Sequence, residues 1–147
     1  MEITTKTFDE LTTKELYQIL QLRSEVFVVE QNCVYQDVDG KDEKALHVLG
    51  AKNGKVVAYT RMFRPGDYFK NPSIGRVVVS KDQRKHGYGK VIMQASVDEM
   101  DKRFPNSTVE LSAQTYLLKF YNELGFVTEG EEYLEDGIPH VRMVRKL

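Results

Sequence analysis

The segment Val77-Val78-Val79-Ser80-Lys81-Asp82-Gln83-Arg84-Lys85-His86-Gly87-Tyr88-Gly89-Lys90 restricts what this chain can fold into more than any other. Three consecutive β-branched residues close a run, Ser73 to Val79, that reads as a buried strand. A basic, glycine-containing turn follows it. From Gly89 to about Arg103, Met93, Val97, Met100 and Phe104 then recur at helical spacing on one face. In the next strand, Thr108 to Ala113, Val109, Leu111 and Ala113 alternate with Thr108, Glu110 and Ser112. A helical crossover returns this strand parallel to Ser73–Val79, because antiparallel neighbours need no connection that long.

Around this unit the remaining elements read as follows. Met1 to Phe8 suits a short edge strand, and Thr12-Thr13-Lys14-Glu15 has the capping-box pattern that opens a helix carrying Leu16, Ile19, Leu20, Val26 and Phe27. Val34 to Lys44 is a polar loop whose acidic residues are expected to be solvated; it lacks the glycine and glutamate positions of a calcium loop. Ala45 to Ala51 and Val56 to Phe63 flank Asn53-Gly54, which predicts an antiparallel hairpin. Thr115 to Leu124 forms a short helix stopped by Gly125. Phe126 to Glu129 and His140 to Arg145, separated by an acidic segment and Gly137-Ile138-Pro139, close the sheet. The fold class expected is α+β, a mixed sheet with flanking helices, in a single domain over residues 1–147 with no internal repeat or linker.

Composition narrows the function. A net charge of -1 does not supply the cations that neutralise a nucleic-acid backbone over a wide face, so nucleic acid is not expected as a partner. No apolar run approaches the roughly 20 residues that span a bilayer, so no membrane is expected either. The single cysteine, Cys33, forms no internal disulfide and the first residues lack a signal-peptide pattern, which fits a cytoplasmic protein. With one cysteine and three scattered histidines, no metal site is expected.

Gly87 and Gly89 leave the backbone bare where the helix begins. Its first amides have no intrahelical partner and lie at the positive end of the helix dipole, so the turn can hold a diphosphate, with Arg84, Lys85, His86 and Lys90 adding charge. The dinucleotide and nucleotide-triphosphate fingerprints fit less well: the first needs a third glycine, and the second needs Ser or Thr where Val91 follows Gly89-Lys90. A tight turn without a ligand is the plain alternative.

Arg84-Lys85-His86-Gly87-Tyr88-Gly89 resembles the Arg/Gln-x-x-Gly-x-Gly/Ala signature of the GNAT N-acetyltransferase superfamily. Downstream, Phe120-Tyr121-Asn122-Glu123-Leu124-Gly125-Phe126 is similar to that superfamily's second mark. Val26 to Asp37 and Gly137-Ile138-Pro139-His140 narrow the resemblance to the ElaA-like GNAT proteins. The chain departs from the usual pattern at Gln114, where many members carry Asn, and at Val34, where ElaA-like chains often carry Pro.

The resemblance implies a GNAT-like fold, mostly antiparallel with one splayed parallel strand pair. It also implies acetyl-CoA as acyl-donor cosubstrate, bound along Val77, Val78 and Val79, by the turn Arg84, Lys85, His86, Gly87, Tyr88, Gly89 and Lys90, and by Gln114. Acetyl transfer to a primary amine, small molecule or peptide, would proceed by direct attack in a ternary complex. A backbone N–H near Val77 or Val78 would hold the oxyanion and Tyr121 would protonate the leaving thiolate. Glu30, His47, Arg76 and His140 are candidates for the acceptor side, the base among Glu30, His47 and His140. Cys33 is not favoured as an acyl carrier, since no activating group stands near it in sequence. GNAT proteins are often dimers, so a homodimer is within expectation. A coenzyme-A-binding regulatory module without catalysis, and a phosphate-loop domain for another nucleotide, are the competing readings.

Overall fold

The computed structural model describes residues 1–147. Eight strands form one mixed sheet: β1 (Glu2–Thr7), β2 (Leu46–Lys52), β3 (Lys55–Phe63), β4 (Ser73–Val79), β5 (Thr108–Gln114), β6 (Val127–Thr128), β7 (Tyr133–Glu135) and β8 (Ile138–Lys146). Their order is β1-β2-β3-β4-β5-β8-β6, with β7 also paired to β8. Every pairing is antiparallel except β4 with β5, as the helical crossover requires.

Helix α1 (Thr13–Arg23) starts at the predicted capping box. Thr12 Oγ1 accepts from the Glu15 amide at 3.1 Å and Glu15 Oε1 accepts from the Thr12 amide at 2.9 Å. At Ser24 the helix widens to π-helical pitch through Glu30, and the Gln31 amide reaches back to the Val26 carbonyl at 3.1 Å. The β2–β3 hairpin turns at Asn53 and Gly54, φ +54° and +78°, where both residues tolerate the left-handed region.

Strand alternation sorts the core into two layers. Leu46, Val48, Ala58, Met62 and Ile74 pack against Ile92, Met93, Val97 and Met100 of α2 (Tyr88–Arg103), while Leu49, Val56, Tyr59 and Val78 pack against Ile19, Leu22 and Val26. Helix α2 and the short α3 (Leu118–Glu123) therefore cover one face and α1 the other. The expected helix from Thr115 begins as a tight turn, Thr115–Leu117, before α3, and Gly125 follows it with φ +89°.

Two expectations need correction. The segment before Pro139 is not merely a connection: Tyr133–Glu135 is a strand, turned into β8 by Asp136 and Gly137 with φ +51° and +77°, the chemistry of the Asn53-Gly54 turn repeated. The acidic loop is not a solvated run either. Arg23, fully buried, donates from Nε to Asp37 Oδ2 at 2.8 Å and from Nη1 to Asp42 Oδ1 at 2.7 Å. Arg61, equally buried, donates from Nη1 to Asp42 Oδ1 at 3.0 Å and from both Nη atoms to Asp39 at 2.9 Å. The loop carboxylates neutralise arginines that the α1 side of the sheet has buried, which is what permits those charges there.

Candidate active site

The site is made by the one place where the sheet comes apart. Strands β4 and β5 meet in register only at Ser73 and Glu110. Gly75 pairs with Arg61 and Val78 with Tyr59, so Arg76 and Val77 together oppose Thr60 in a bulge, and Arg76 takes φ +48°. The bulge bends β4 away from β5. Between them opens a cleft of about 590 Å³, with Val77, Val78 and Val79 on one wall and Leu111, Ser112 and Gln114 on the other.

Backbone parity says which groups face the gap. The Ser80 amide donates to the Val57 carbonyl of β3 at 2.8 Å, and Val78, two residues earlier and paired with Tyr59, also faces β3. Val77 and Val79 therefore turn their N–H and C=O toward the cleft, an open strand edge able to pair with an extended ligand. Of the two amides named for the oxyanion, Val77 is on the cleft side and Val78 is not.

One end of the cleft is the N-terminus of α2. Gly87 caps it with φ +73°, a conformation a residue with Cβ adopts at a cost, and no side chain occupies its first amides. A Cβ placed on Gly89 would stand 3.3 Å from Phe120 Cε1, so glycine there lets α3 close against the turn. Bare amides, a left-handed cap and a sixteen-residue helix behind them fit a diphosphate. Arg84, Gly87, Tyr88, Gly89 and Lys90 line this end. Lys85 and His86 are exposed on the outer side of the turn and do not line the cleft. Lys90 Nζ lies 2.5 Å from Glu123 Oε2, tying α2 to α3.

Tyr121 lies in the cleft between α3 and the sheet, 5 % exposed, with its ring 5.0 Å from Phe120 and 6.1 Å from Phe126. Burial, with a smaller contribution from Tyr116, pushes its phenol well above the ordinary tyrosine range, so it stays protonated. Gln114 donates from Nε2 to Gln31 Oε1 at 3.3 Å, joining the end of β5 to the segment after the π-helical turn.

The acceptor-side candidates separate. His140 lines the cleft and is buried; its Nδ1 lies 2.7 Å from the Ile138 carbonyl, which can only accept, so Nδ1 carries a proton. Glu135 Oε2 stands 3.3 Å from its Nε2, and Tyr133 stacks at 6.2 Å. Glu30 lines the cleft but holds Arg84. Arg76 also borders it, yet its Nε is 2.8 Å from Asp37 Oδ1 and its Nη2 donates to the Asp37 carbonyl at 3.1 Å, so its guanidinium is turned to the loop aspartates.

His47 lies outside the cleft. Fully buried on the α1 side of β2, it donates from Nε2 to the Asp42 carbonyl at 2.9 Å and accepts at Nδ1 from the Tyr59 hydroxyl at 2.6 Å. Burial lowers its pKa, and both ring nitrogens are satisfied in the neutral form. It is a structural histidine. Cleft residues that sequence reasoning missed are Gln31, Tyr35, Ser112, Glu135 and Asp136. The Asp136-Gly137 turn signal could have found the last two. No group of three or more His, Cys, Asp or Glu is placed to hold a metal ion, and no helix is long and apolar enough to cross a membrane.

Comparison with known proteins agrees with this geometry. The Acetyltransferase (GNAT) domain family matches residues 8–147. Protein ElaA of Escherichia coli is 44% identical over 140 residues, 94% of this chain and 92% of that protein. Its crystal structure superposes with a TM-score of 0.92, covering 99% of both chains at 41% identity. An acyl-CoA N-acyltransferase from Pseudomonas aeruginosa superposes with a TM-score of 0.93, 99% of both chains and 42% identity. A mixed sheet parted at a bulged parallel pair, a glycine-capped helix at the parting and a family match over nearly the whole length have one reading: the chain belongs to the GNAT acyltransferase family.

Proposed function

We propose that this protein is an N-acetyltransferase that moves the acetyl group of acetyl-CoA to a primary amine by direct attack within a ternary complex. The observation that carries the proposal is the cleft itself, which runs from the bare amides at Gly87 along the open edge of Val77 and Val79 to a polar chamber at Glu135 and His140. The amides and Lys90 would hold the diphosphate, and the edge of β4 would pair with the pantetheine arm.

The chamber explains the choice of an amine. Glu135 and Asp136 favour a cation at its mouth. An alkylamine, with a pKa of about 10, arrives protonated and must lose a proton before it can attack. His140 Nε2 accepts that proton, and Glu135 stabilises the resulting imidazolium. The amine nitrogen then bonds to the thioester carbon while the Val77 N–H receives the oxyanion. On collapse the C–S bond breaks, and sulfur takes a proton from the Tyr121 hydroxyl, which is refilled by the second proton of the amine nitrogen. The products are an amide, a thiol and one proton held on His140, which leaves to solvent.

Calorimetry with acetyl-CoA, followed by detection of free thiol across alkylamines, diamines, amino acids and lysine peptides, tests the assignment. Binding together with thiol release for a basic amine is expected. No association at millimolar acetyl-CoA overturns it, and binding without thiol release from any amine leaves a coenzyme-binding module instead.

A further inference from the structure

Arg84 lies where the coenzyme must enter, and each of its three side-chain nitrogens donates a hydrogen bond within the protein. Nη1 and Nη2 bind the two oxygens of Glu30 at 2.5 and 2.8 Å, a bidentate fork between the end of the π-helical turn and the phosphate turn. Its Nε donates to the Val79 carbonyl at 3.1 Å. That carbonyl belongs to the open edge of β4, so the same guanidinium occupies the diphosphate end of the cleft and one rung of the strand edge that a pantetheine amide would use. The hydrogen bonds from Arg84 hold the Glu30 carboxyl below the ordinary glutamate range, so the pair is fully ionised at neutral pH.

We infer that Glu30 sets the affinity of this site for coenzyme A, by holding Arg84 in a latch that the coenzyme's diphosphate must displace. The inference rests on the coenzyme-A reading above and adds a competitor to it. A diphosphate carries more charge than one carboxylate and suits the same planar fork, so it can take the guanidinium. The exchange frees the Val79 carbonyl at the same time. Glu30 and Arg84 are both partly exposed, with side-chain exposures of 31% and 39%, so the exchange needs no unfolding of the sheet.

The competition has a signature that a merely nearby negative charge does not share. Coenzyme A is titrated calorimetrically, in low salt, into the wild-type chain, Glu30→Gln, Arg84→Ala and the double variant, each first shown to unfold at the wild-type temperature. An exposed ion pair of this kind shifts an equilibrium by up to about fivefold, so Glu30→Gln is expected to bind about two- to fivefold more tightly. Arg84→Ala binds more weakly, and in that background Glu30→Gln has no further effect, because the latch is already gone. Equal tightening in both backgrounds, or none in the wild-type background, overturns the latch while leaving the coenzyme site in place. A wild-type chain that binds no coenzyme A removes both proposals, a result visible in the first titration alone.

Discussion

Replacing Asp42 by asparagine tests the buried ion network. Asp42 Oδ1 is shared by Arg23 and Arg61, at 2.7 and 3.0 Å, and both guanidinium side chains are at most 2% exposed. Three arginines, Arg23, Arg61 and Arg76, face three aspartates, Asp37, Asp39 and Asp42, so the cluster is neutral. A neutral amide in place of the Asp42 carboxylate would leave one positive charge uncompensated inside the protein, a change that costs about 3–5 kcal/mol when one partner of a buried pair is removed. At about 2–4 °C per kcal/mol for a chain of this length, the melting temperature falls by about 6–20 °C. Urea unfolding followed by circular dichroism gives the free energy directly, provided the slope with denaturant is unchanged. Lys6→Met, which breaks the partly exposed pair to Glu15, is the reference and costs less than about 1 kcal/mol. If Asp42→Asn cost no more than Lys6→Met, the arginines would be solvated and the account of the acidic loop would be refuted.

Other outcomes follow from the same geometry. Tyr121→Phe lowers acetyl transfer about tenfold or more, roughly 1.4 kcal/mol of transition-state stabilisation, with coenzyme affinity nearly intact; unchanged turnover in steady-state kinetics removes the proton-donor role. His140→Gln lowers kcat for an alkylamine but spares an acceptor that is already neutral, such as hydroxylamine; an equal loss for both acceptors assigns His140 a positioning role instead. Gly87→Val weakens coenzyme binding and destabilises the fold by about 1 kcal/mol or more, read by calorimetry and urea unfolding, because a β-branched residue cannot rest easily at φ +73°. Stability also depends on acid. Burial alone would raise the Asp39 carboxyl, but hydrogen bonds from Arg61 override it and hold it at about 2. The carboxyl therefore contributes stability that is complete above the unfolded value of about 3.9 and is lost as pH falls toward 2; a urea midpoint flat through that window in the wild type contradicts the pair.

The strand–turn–helix unit was legible in the sequence because its physics is local. Three valines, an unprotected pair of glycines and an apolar stripe at helical spacing lead to β4, the glycine turn and α2 without any help from distant residues. The capping box at Thr12 and the Asn53-Gly54 hairpin were readable for the same reason, each being a bond or a dihedral preference between neighbours. Tyr121 could be named from its motif, although only the fold shows it in the cleft.

The acceptor side of the site was not legible, because it depends on pairings between segments far apart in the chain. His47 and His140 are each a histidine on a strand, yet one faces the buried ion network and the other the cleft. That difference is decided by which side of the sheet α1 covers and by the divergence of β5 from β4. Asp37, Asp39 and Asp42 look like solvated loop charges until the fold brings Arg23 and Arg61 beneath them from 14 to 22 residues away. The cleft likewise arises from one backbone bulge at Arg76. The sequence by itself determined most of the elements and the glycine-capped turn before α2, since torsional preference and periodicity act over a few residues. Only the tertiary structure decided which charges are buried, which carbonyls face the cleft and which histidine lines it, because burial and strand registry exist only once distant segments pack.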